Sequence, residues 1–410
     1  MRQTRSVESV LGSSAALLRL LGLWSPRIED FSRTHRVLRG GLMLALSFGL
    51  MVTTLLKLVM DCPRELEELS ACIFSATMLC EVFFKMVFFV LKVPTLHKLV
   101  QLLSEIRTED SIGERNDEIR RRYQIVVDKM FLFLMATAVV TETMWAAIPL
   151  MHQLLNMDGE VTRLLPLPLW LPLDVYASPT YEVIYGAQVL LMPLTTTSLF
   201  FDFVFIDLMM RIAAELEILN YNISSVHENR KTVSTMSKDI HKLCQTVSDN
   251  KTNVQLVKNV RHHQAILRAV VLLEEAMNTG VFILFLATTI AVSSNIFTAT
   301  ALLQAHDGRI KALKMLSAMP PVLFEVGLYC VFGQIVINQS EKLMHSAYSC
   351  EWVDCDTRFR RSLHMFCVGA IRPLEFTVGR MYKLSRETLL QVLHGSYVMF
   401  NMLYTIQNRK

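Results

Sequence analysis

Charged residues are scarce in this chain of 410 residues. Asp, Glu, Lys and Arg make up 19% of the sequence and hydrophobic residues 52%, whereas about one quarter of an average soluble domain is charged. This shortage argues against a soluble protein and favours a membrane protein. The net charge of +4 is also too small to support an electrostatic argument for nucleic-acid binding, so no nucleic-acid partner is expected.

The sequence also lacks the residue patterns of an enzyme or a metalloprotein. No nucleophile and base stand at a spacing typical of catalysis. Cys350 and Cys355, with His345 and His364 nearby, are spaced too loosely to favour a zinc site over unpaired cytosolic cysteines. We therefore expect no catalytic residue, no metal and no cofactor.

Seven stretches are long and apolar enough to cross a bilayer as helices. Crossing the roughly 30 Å of hydrocarbon takes about 20 helical residues. No internal repeat or low-complexity block appears, which favours one membrane domain covering residues 1–410. The sequence thus predicts an all-α membrane protein with seven transmembrane helices. The predicted spans, first to seventh, lie near residues 40–60, 70–91, 130–151, 182–204, 279–303, 315–337 and 387–406.

The positions of lysine and arginine predict the orientation. The segment before the first span and the loops that follow the second, fourth and sixth spans hold 32 of the 41 basic residues, and basic residues accumulate on the cytoplasmic side. The N-terminus is therefore predicted to be cytoplasmic and the C-terminus extracellular. Residues 210–275 and 338–386 show apolar residues at helical spacing, which predicts a helical cytoplasmic anchor region below the bilayer.

Ionisable residues inside the spans are candidate functional groups, because a charge in lipid is costly. Glu81 and Lys85 stand four residues apart and are predicted to form an ion pair on one helix face. Glu142 and Glu325 fall in the outer half of the bundle. For each of these two, an internally paired or interfacial carboxylate and a pocket-lining residue remain open alternatives.

Aromatic, methionine and a few polar side chains recur at helical spacing on four spans. If these faces converge, they enclose an apolar chamber with few hydrogen-bonding groups; ordinary helix packing is the alternative. The candidate binding residues are Phe74 and Met78 in the second span, Thr141, Trp145 and Ile148 in the third, Tyr185, Gln188 and Met192 in the fourth, and Met319 in the sixth, with Tyr181 and Met315 on the same faces.

The last span is uncharged from Thr388 to Gln407 yet carries many polar side chains. One arc of the helix is mixed polar and apolar, and the opposite arc is mainly apolar apart from Ser396. Several copies of such a helix around a symmetry axis could line an aqueous pore, whereas a polar face buried inside one bundle is the alternative. The candidate pore and gate residues are Gln391, Val398, Met402 and Ile406.

Several motifs resemble those of the insect odorant receptor family. They are His345-Ser-Ala-Tyr-Ser-Cys-Glu-Trp, Arg358 to Arg361, Arg372-Pro-Leu-Glu-Phe-Thr-Val-Gly, and a last span whose Ser-Tyr-x-x-Phe-x-x-Leu signature reads Ser396, Tyr397, Phe400 and Leu403. The proline-rich outer segment, with Leu171-Pro-Leu-Asp and Ser178-Pro-Thr-Tyr, is similar to that family's second outer loop. The resemblance spans most of the chain.

The resemblance implies an odorant-binding tuning subunit of an odorant-gated, non-selective cation channel. Such a channel assembles as a heterotetramer with a shared co-receptor, whose longer inner loop this chain lacks. The implied partners are the co-receptor subunit, a small volatile organic ligand, membrane lipids and permeant cations. The implied location is the plasma membrane, as a multi-pass protein of the olfactory sensory neuron dendrite. Odorant would bind in the outer half among spans two to six, and Met402 and Ile406 would lie near the gate.

Two other receptor classes share part of this pattern. A G-protein-coupled receptor also has seven helices, but its N-terminus would be extracellular, and the chain has no Asp-Arg-Tyr after the third span and no Asn-Pro-x-x-Tyr in the seventh. A gustatory receptor-type channel shares the predicted architecture. Its usual Thr-Tyr and Gln-Phe pairs are replaced here by Ser396-Tyr397 and Leu403-Tyr404.

Overall fold

The fold is built almost entirely from helices. A computed structural model describes residues 30–63, 65–110, 113–155, 163, 165–225, 238–304, 309–317 and 319–408. The helices are α1 (Asp30–Met60), α2 (Leu66–Glu105), α3 (Glu114–Leu155), α4 (Thr180–Leu191), α5 (Pro193–Ser224), α6 (Lys238–Gln304), α7 (Arg309–Ser317), α8 (Met319–Tyr348), α9 (Thr357–Ala370) and α10 (Arg386–Asn408). Strands β1 (Thr377–Val378) and β2 (Tyr382–Lys383) form an antiparallel hairpin.

The predicted all-α membrane fold is confirmed. In the described part of the chain, six spans are long and apolar enough to cross a membrane: Leu38–Met60, Glu68–Thr108, Glu114–Met151, Thr180–Ser224, Asn250–Gln304 and Met319–Tyr348. The seventh predicted span is the 23-residue helix α10, which is helical throughout but less apolar. The single domain and the orientation stay predictions.

Prolines divide two of the predicted spans. The fourth span is split at Met192, where α4 ends and Pro193 begins α5, because proline has no N–H to continue the hydrogen-bond ladder. The sixth span, predicted near residues 315–337 with a kink at Pro320 and Pro321, is divided between two helices. Met315 belongs to α7, which ends at Ser317, and Pro320 and Pro321 stand in the first turn of α8, where proline is tolerated.

The inner extensions predicted from helical spacing are confirmed by α6. This helix has 67 residues, so at about 1.5 Å per residue it is about 100 Å long. That length is about three times the hydrocarbon thickness of a bilayer. Its N-terminal half therefore projects far beyond the membrane on the side where the basic loops lie.

Helix α5 forms the centre of the bundle. Every residue from Phe201 to Met210 is buried, including Asp202 and Asp207, and a helix buried on all sides is stable only when neighbours surround it. Its neighbours are α2, α3, α6 and α8. The hydrophobic core thus runs along the inner part of α5.

The β-hairpin fastens α10 to the bundle. Phe376, Val378 and Leu384 are fully buried, and the Gly379 N–H donates to Oδ1 of Asn278 in α6 at 2.5 Å. Gly379 has a φ of 61°, a conformation that glycine adopts without strain. Residues 372–379, one of the motifs that resemble the insect odorant receptor family, therefore fix the position at which α10 begins.

Candidate functional site

Aromatic residues connect α2, α3 and α4 in the half of the bundle that is predicted to be outer. Phe74 of α2 stacks on Trp145 of α3, with ring centroids 6.5 Å apart and planes 18° apart. The Tyr185 hydroxyl of α4 donates to the backbone oxygen of Ala146 at 2.5 Å. Three of the residues predicted for the chamber therefore meet around one turn of α3.

Gln188 holds the proline-rich outer segment. Its side-chain oxygen accepts from the Leu167 N–H at 3.1 Å and its Nε2 donates to the Leu167 oxygen at 3.0 Å. The side chain is buried, with 2% exposed. Because both ends of the amide are used, Gln188 positions the loop over α4, and the Trp170 N–H fastens the same loop to the Thr53 oxygen of α1 at 3.0 Å.

The remaining predicted binding residues occupy different surroundings. Met78 is half-buried in α2, and Met192 is buried at the junction of α4 and α5. Thr141 is exposed and its hydroxyl donates to the Thr137 oxygen of its own helix at 2.8 Å. Met319 begins α8, and the side chain of Ile148 lies outside the described residues. The assignment of these residues to a binding site stays a prediction.

A buried cluster of charges begins about two turns beyond Phe74 along α2. Lys85 Nζ is 2.5 Å from Glu81 Oε1, 2.8 Å from Asp202 Oδ2 and 2.7 Å from Glu325 Oε1, and it donates to Ser198 Oγ at 3.2 Å. The predicted pairing of Glu81 with Lys85 is confirmed. For Glu325, the paired alternative is the one observed.

Tyr329 completes this cluster. Its hydroxyl donates to Oδ1 of Asp202 at 2.5 Å, so Asp202 contacts groups from both α2 and α8. Asp202 was missed in the sequence because it stands immediately after the uncharged run that ends at Phe201. The signal available in the sequence was an acidic residue directly after an uncharged run. It lies four residues from a serine on the same helix face. The cluster joins α2, α5 and α8 at one level.

Glu142 of α3 contacts the outer end of α5. Its Oε1 accepts from Thr196 Oγ1 at 2.6 Å and from Thr195 Oγ1 at 3.4 Å. The carboxylate is half-buried. Among the described residues, Glu142 therefore pairs with hydroxyls and not with a cation.

Helix α10 has one buried face and a wide exposed surface. Thr388, Val392 and Ser396, four residues apart, are buried against the bundle. The backbone oxygen of Ser396 accepts from Ser293 Oγ of α6 at 3.1 Å. The Ser396 hydroxyl itself donates to the Val392 oxygen of its own helix at 2.9 Å, so the single polar side chain on the otherwise apolar arc has a hydrogen-bond partner.

The four predicted pore residues lie on the exposed surface of α10. Val398 is 52% exposed, Met402 64% and Ile406 49%, and Gln391 is exposed as well. In a membrane-spanning bundle an exposed side chain can face lipid, water or another subunit. Packing against α6 and α8 leaves this face outside the bundle, so the alternative of a polar face buried within one bundle does not hold for these residues.

Comparison with known proteins identifies the family. The family model described as "7tm Odorant receptor" matches residues 66–397. Odorant receptor 10 of Aedes albopictus is 24% identical over 255 residues, which are 60% of this chain and 61% of that protein. Odorant receptor 85c of Drosophila melanogaster is 29% identical over 151 residues, 37% of this chain and 38% of that protein. The match thus spans about three fifths or less of these relatives.

Co-receptors and a solved structure are also similar to this chain. The odorant receptor coreceptor of Harpegnathos saltator is 22% identical over 148 residues, 36% of this chain and 30% of that protein. The insect olfactory receptor OR5 from Machilis hrabei in complex with eugenol superposes with a TM-score of 0.78 at 18% identity, covering 98% of this chain and 99% of that chain. The fold of α1 to α10 is therefore that of an insect olfactory receptor, and the chain belongs to the 7tm odorant receptor family.

Proposed function

We propose that this chain is the odorant-binding tuning subunit of a heteromeric, odorant-gated, non-selective cation channel. The observation that carries the proposal is the arrangement of α10. Val392 and Ser396 fix one face on the bundle, while Val398, Met402 and Ile406 remain exposed on an uncharged helix. Four such helices around a symmetry axis would enclose a path for ions. Apolar side chains that face one another across this path can close it by excluding water.

The odorant is proposed to bind in the outer half, among the residues grouped around the Phe74–Trp145 stack. Apolar burial at about 25 cal/mol per Å² would supply most of its binding free energy. A ligand that binds the open arrangement more tightly than the closed one shifts the population toward the open pore. The aromatic and methionine side chains favour a small aromatic or heteroaromatic volatile.

The proposed orientation places the N-terminus in the cytoplasm. It is supported by the distribution of basic residues, 32 of 41 on one face, and by the long inner half of α6. With this orientation, the aromatic chamber and the proline-rich loop face outward, where a volatile ligand arrives. The protein would reside in the plasma membrane of an olfactory sensory neuron.

The partner is proposed to be the shared co-receptor subunit. A tuning subunit is favoured over a co-receptor because the chain lacks the longer inner loop between the fourth and fifth spans that the family resemblance assigns to the co-receptor. A G-protein-coupled chemoreceptor is the rival function, since it also pairs seven helices with a small-ligand site. A gustatory receptor-type channel is a second rival, and the family model supports an odorant receptor instead.

Whole-cell recording tests this function. Cells expressing the chain alone, the co-receptor alone, or both are exposed to a panel of volatile ligands. We expect rapid cation current that depends on co-expression and on a subset of ligands the co-receptor alone does not detect. A response that needs a G protein and a second messenger, without rapid current, would overturn the proposal.

A further inference from the structure

An open groove runs between the inner parts of α2 and α6. Its volume is about 590 Å³, which lies within the range of small-ligand sites. Most of its surface is apolar, and two basic side chains border it. The residues that form it include Lys98 and Leu102 of α2 and Leu267, Arg268, Val271 and Leu272 of α6. Val271 is 62% exposed, so the groove faces the surroundings of the bundle.

Lys98 and Arg268 give the groove an excess of positive charge. In the described part of the chain, neither side chain forms an ion pair or a hydrogen bond. The one carboxylate that lines the groove, Glu105, stands seven residues beyond Lys98, at the inner end, and accepts from Gln101 at 3.0 Å. The groove therefore holds two cations against one anion.

The two helices that form the groove are basic along its whole length. Residues 82–104 of α2 contain three lysines and no Asp or Glu. Residues 250–273 of α6 contain four Lys or Arg and no Asp or Glu. Charge of a single sign over this length attracts an anion from the surroundings.

The groove lies at the depth of the lipid headgroups in the proposed orientation. The second span is predicted to end near residue 91, and Lys98 stands seven residues beyond it, about 10 Å along the helix. The headgroup layer extends about 5–7 Å beyond the hydrocarbon, and a lysine side chain can reach back toward it. Arg268 lies at a similar depth, because it is seven residues from Glu275, whose Oε1 is 2.8 Å from Lys92 Nζ.

An apolar path leads from the groove toward the hydrocarbon. Leu91 and Lys98 are seven residues apart in α2, so they share one helix face, and Leu91 is 64% exposed. Val271, one turn outward of Arg268, continues the apolar surface on α6. A hydrocarbon chain attached to a headgroup at Lys98 can therefore lie along Val271 and Leu91.

We propose that the groove binds an anionic phospholipid of the cytoplasmic leaflet. Its phosphate lies between Lys98 and Arg268, and one acyl chain packs along Val271 and Leu91. The cytoplasmic leaflet is the one that carries anionic lipids, and a soluble anion would leave the apolar surface uncovered. The inference rests on the proposed function through its orientation, which places this end of α2 and α6 in the cytoplasm.

Competition between two lipids tests the inference. The purified full-length chain in neutral detergent is mixed with equal amounts of phosphatidylserine and phosphatidylcholine, and the bound lipids are counted by native mass spectrometry. Each basic residue at a membrane surface strengthens the binding of anionic lipid about fivefold, so two should give phosphatidylserine a preference of about 25-fold. Equal binding of the two lipids would overturn the inference and leave the groove to an acidic segment of another protein.

Two matched double variants locate the lipid. Lys98→Gln with Arg268→Gln should abolish the preference for phosphatidylserine. Lys258→Gln with Arg261→Gln removes the same charge from α6 two to three turns further in, and it should leave the preference within twofold of the wild type. All four side chains are exposed, so both double variants should keep the wild-type melting temperature. An equal loss of preference in both would show unspecific attraction to basic surface and overturn the assigned site.

A soluble headgroup separates a lipid site from a site for free phosphate. Glycerophosphoserine carries the charged groups of phosphatidylserine without its acyl chains. At equal concentration it should not displace the lipid, because it cannot cover Val271 and Leu91. Displacement of bound phosphatidylserine by an equal amount of glycerophosphoserine would contradict a lipid site.

The outcomes separate this inference from the proposed function. Rapid ligand-gated current on co-expression, without a lipid preference that depends on Lys98 and Arg268, would retain the function and remove the inference. A lipid preference located at these two residues, without any such current, would retain the lipid site and remove the channel function.

Discussion

The inner and outer halves of the bundle are packed very differently. In the inner part of α5, every residue from Phe201 to Met210 is buried. Side chains on the outer part of α3, including Val139, Val140 and Met144, are exposed. The inner half is therefore a dense support, and the outer half is an open arrangement held at a few points.

The contacts that hold each half differ in kind. In the inner half, Arg120 bridges α3 to Glu215 of α5 at 2.7 Å, and Glu215 also contacts His262 of α6 at 3.1 Å. In the outer half, the helices and the proline-rich loop are held together by the Phe74–Trp145 stack and by the Gln188 contact with the loop. We expect mutations in the inner half to change folding and mutations in the outer half to change ligand response.

The largest expected effect comes from Gly333 of α8. A Cβ there would lie 2.7 Å from the Leu384 Cβ and collide with the Leu384 backbone oxygen, so Gly333→Ala should cost about 2 kcal/mol or more by overpacking. We expect most of the folded protein to be lost in fluorescence-detected size exclusion. Gly327→Ala, on the same helix with nothing within 4 Å, is the control and should give wild-type yield. Equal yields for the two variants would refute the close contact.

A smaller loss of stability is expected for Arg120→Met. Arg120→Met leaves the buried Glu215 carboxylate with His262 as a remaining partner, so the loss of one charged hydrogen-bond partner should cost about 1–2 kcal/mol. The melting temperature of the purified chain should fall clearly. Arg115→Met on the same helix removes exposed contacts with Glu118 and the Tyr221 ring, each worth about 0–1 kcal/mol. An equal fall in melting temperature for both variants would show that the buried contacts of Arg120 stabilise the protein no more than an exposed ion pair does.

Trp145→Ala tests the outer half. Loss of the aromatic surface and its stack on Phe74 should raise the half-maximal odorant concentration about tenfold, with surface expression and assembly unchanged. Met144→Ala, the exposed neighbour, should have no effect on the dose-response curve. An unchanged curve for Trp145→Ala would remove this residue from the proposed site.

Cysteine labelling tests orientation without altering the protein. Cys62 follows α1 and is exposed, so an impermeant maleimide added outside intact cells should modify it, and Cys62→Ser should abolish that signal. Cys350 should remain unmodified, because burial raises the pKa of its thiol to about 11 and the reactive thiolate is therefore scarce at neutral pH. Labelling of Cys62 only after permeabilisation would reverse the topology.

Features encoded by neighbouring residues were predictable from the sequence. The spans follow from uninterrupted apolar runs, and Glu81 and Lys85 form an ion pair across one helical turn. The partners of Glu142 and Glu325 were not predictable, because Thr196 and Lys85 lie 54 and 240 residues away in the chain. Helical periodicity places a residue on a face but does not say which helix covers that face.

The division of α8 from α7 was missed for a related reason. Pro320 and Pro321 were visible in the sequence, but they fit both a kink within a helix and the first turn of a new one. The candidate pore residues of α10 were predicted from the amphipathic pattern of the helix. Their exposure agrees with the sequence, while their role in a pore depends on assembly.

The most direct test asks whether Met402 faces a conducting pore. Met402→Cys is co-expressed with the co-receptor and treated with a positively charged thiol reagent, with Tyr397→Cys on another exposed side of α10 as the control. We expect the reagent to block current irreversibly at Met402→Cys, faster when odorant is present, and to leave Tyr397→Cys unaffected. Current that persists unchanged in Met402→Cys, despite labelling of that cysteine, would contradict a pore lined by this helix.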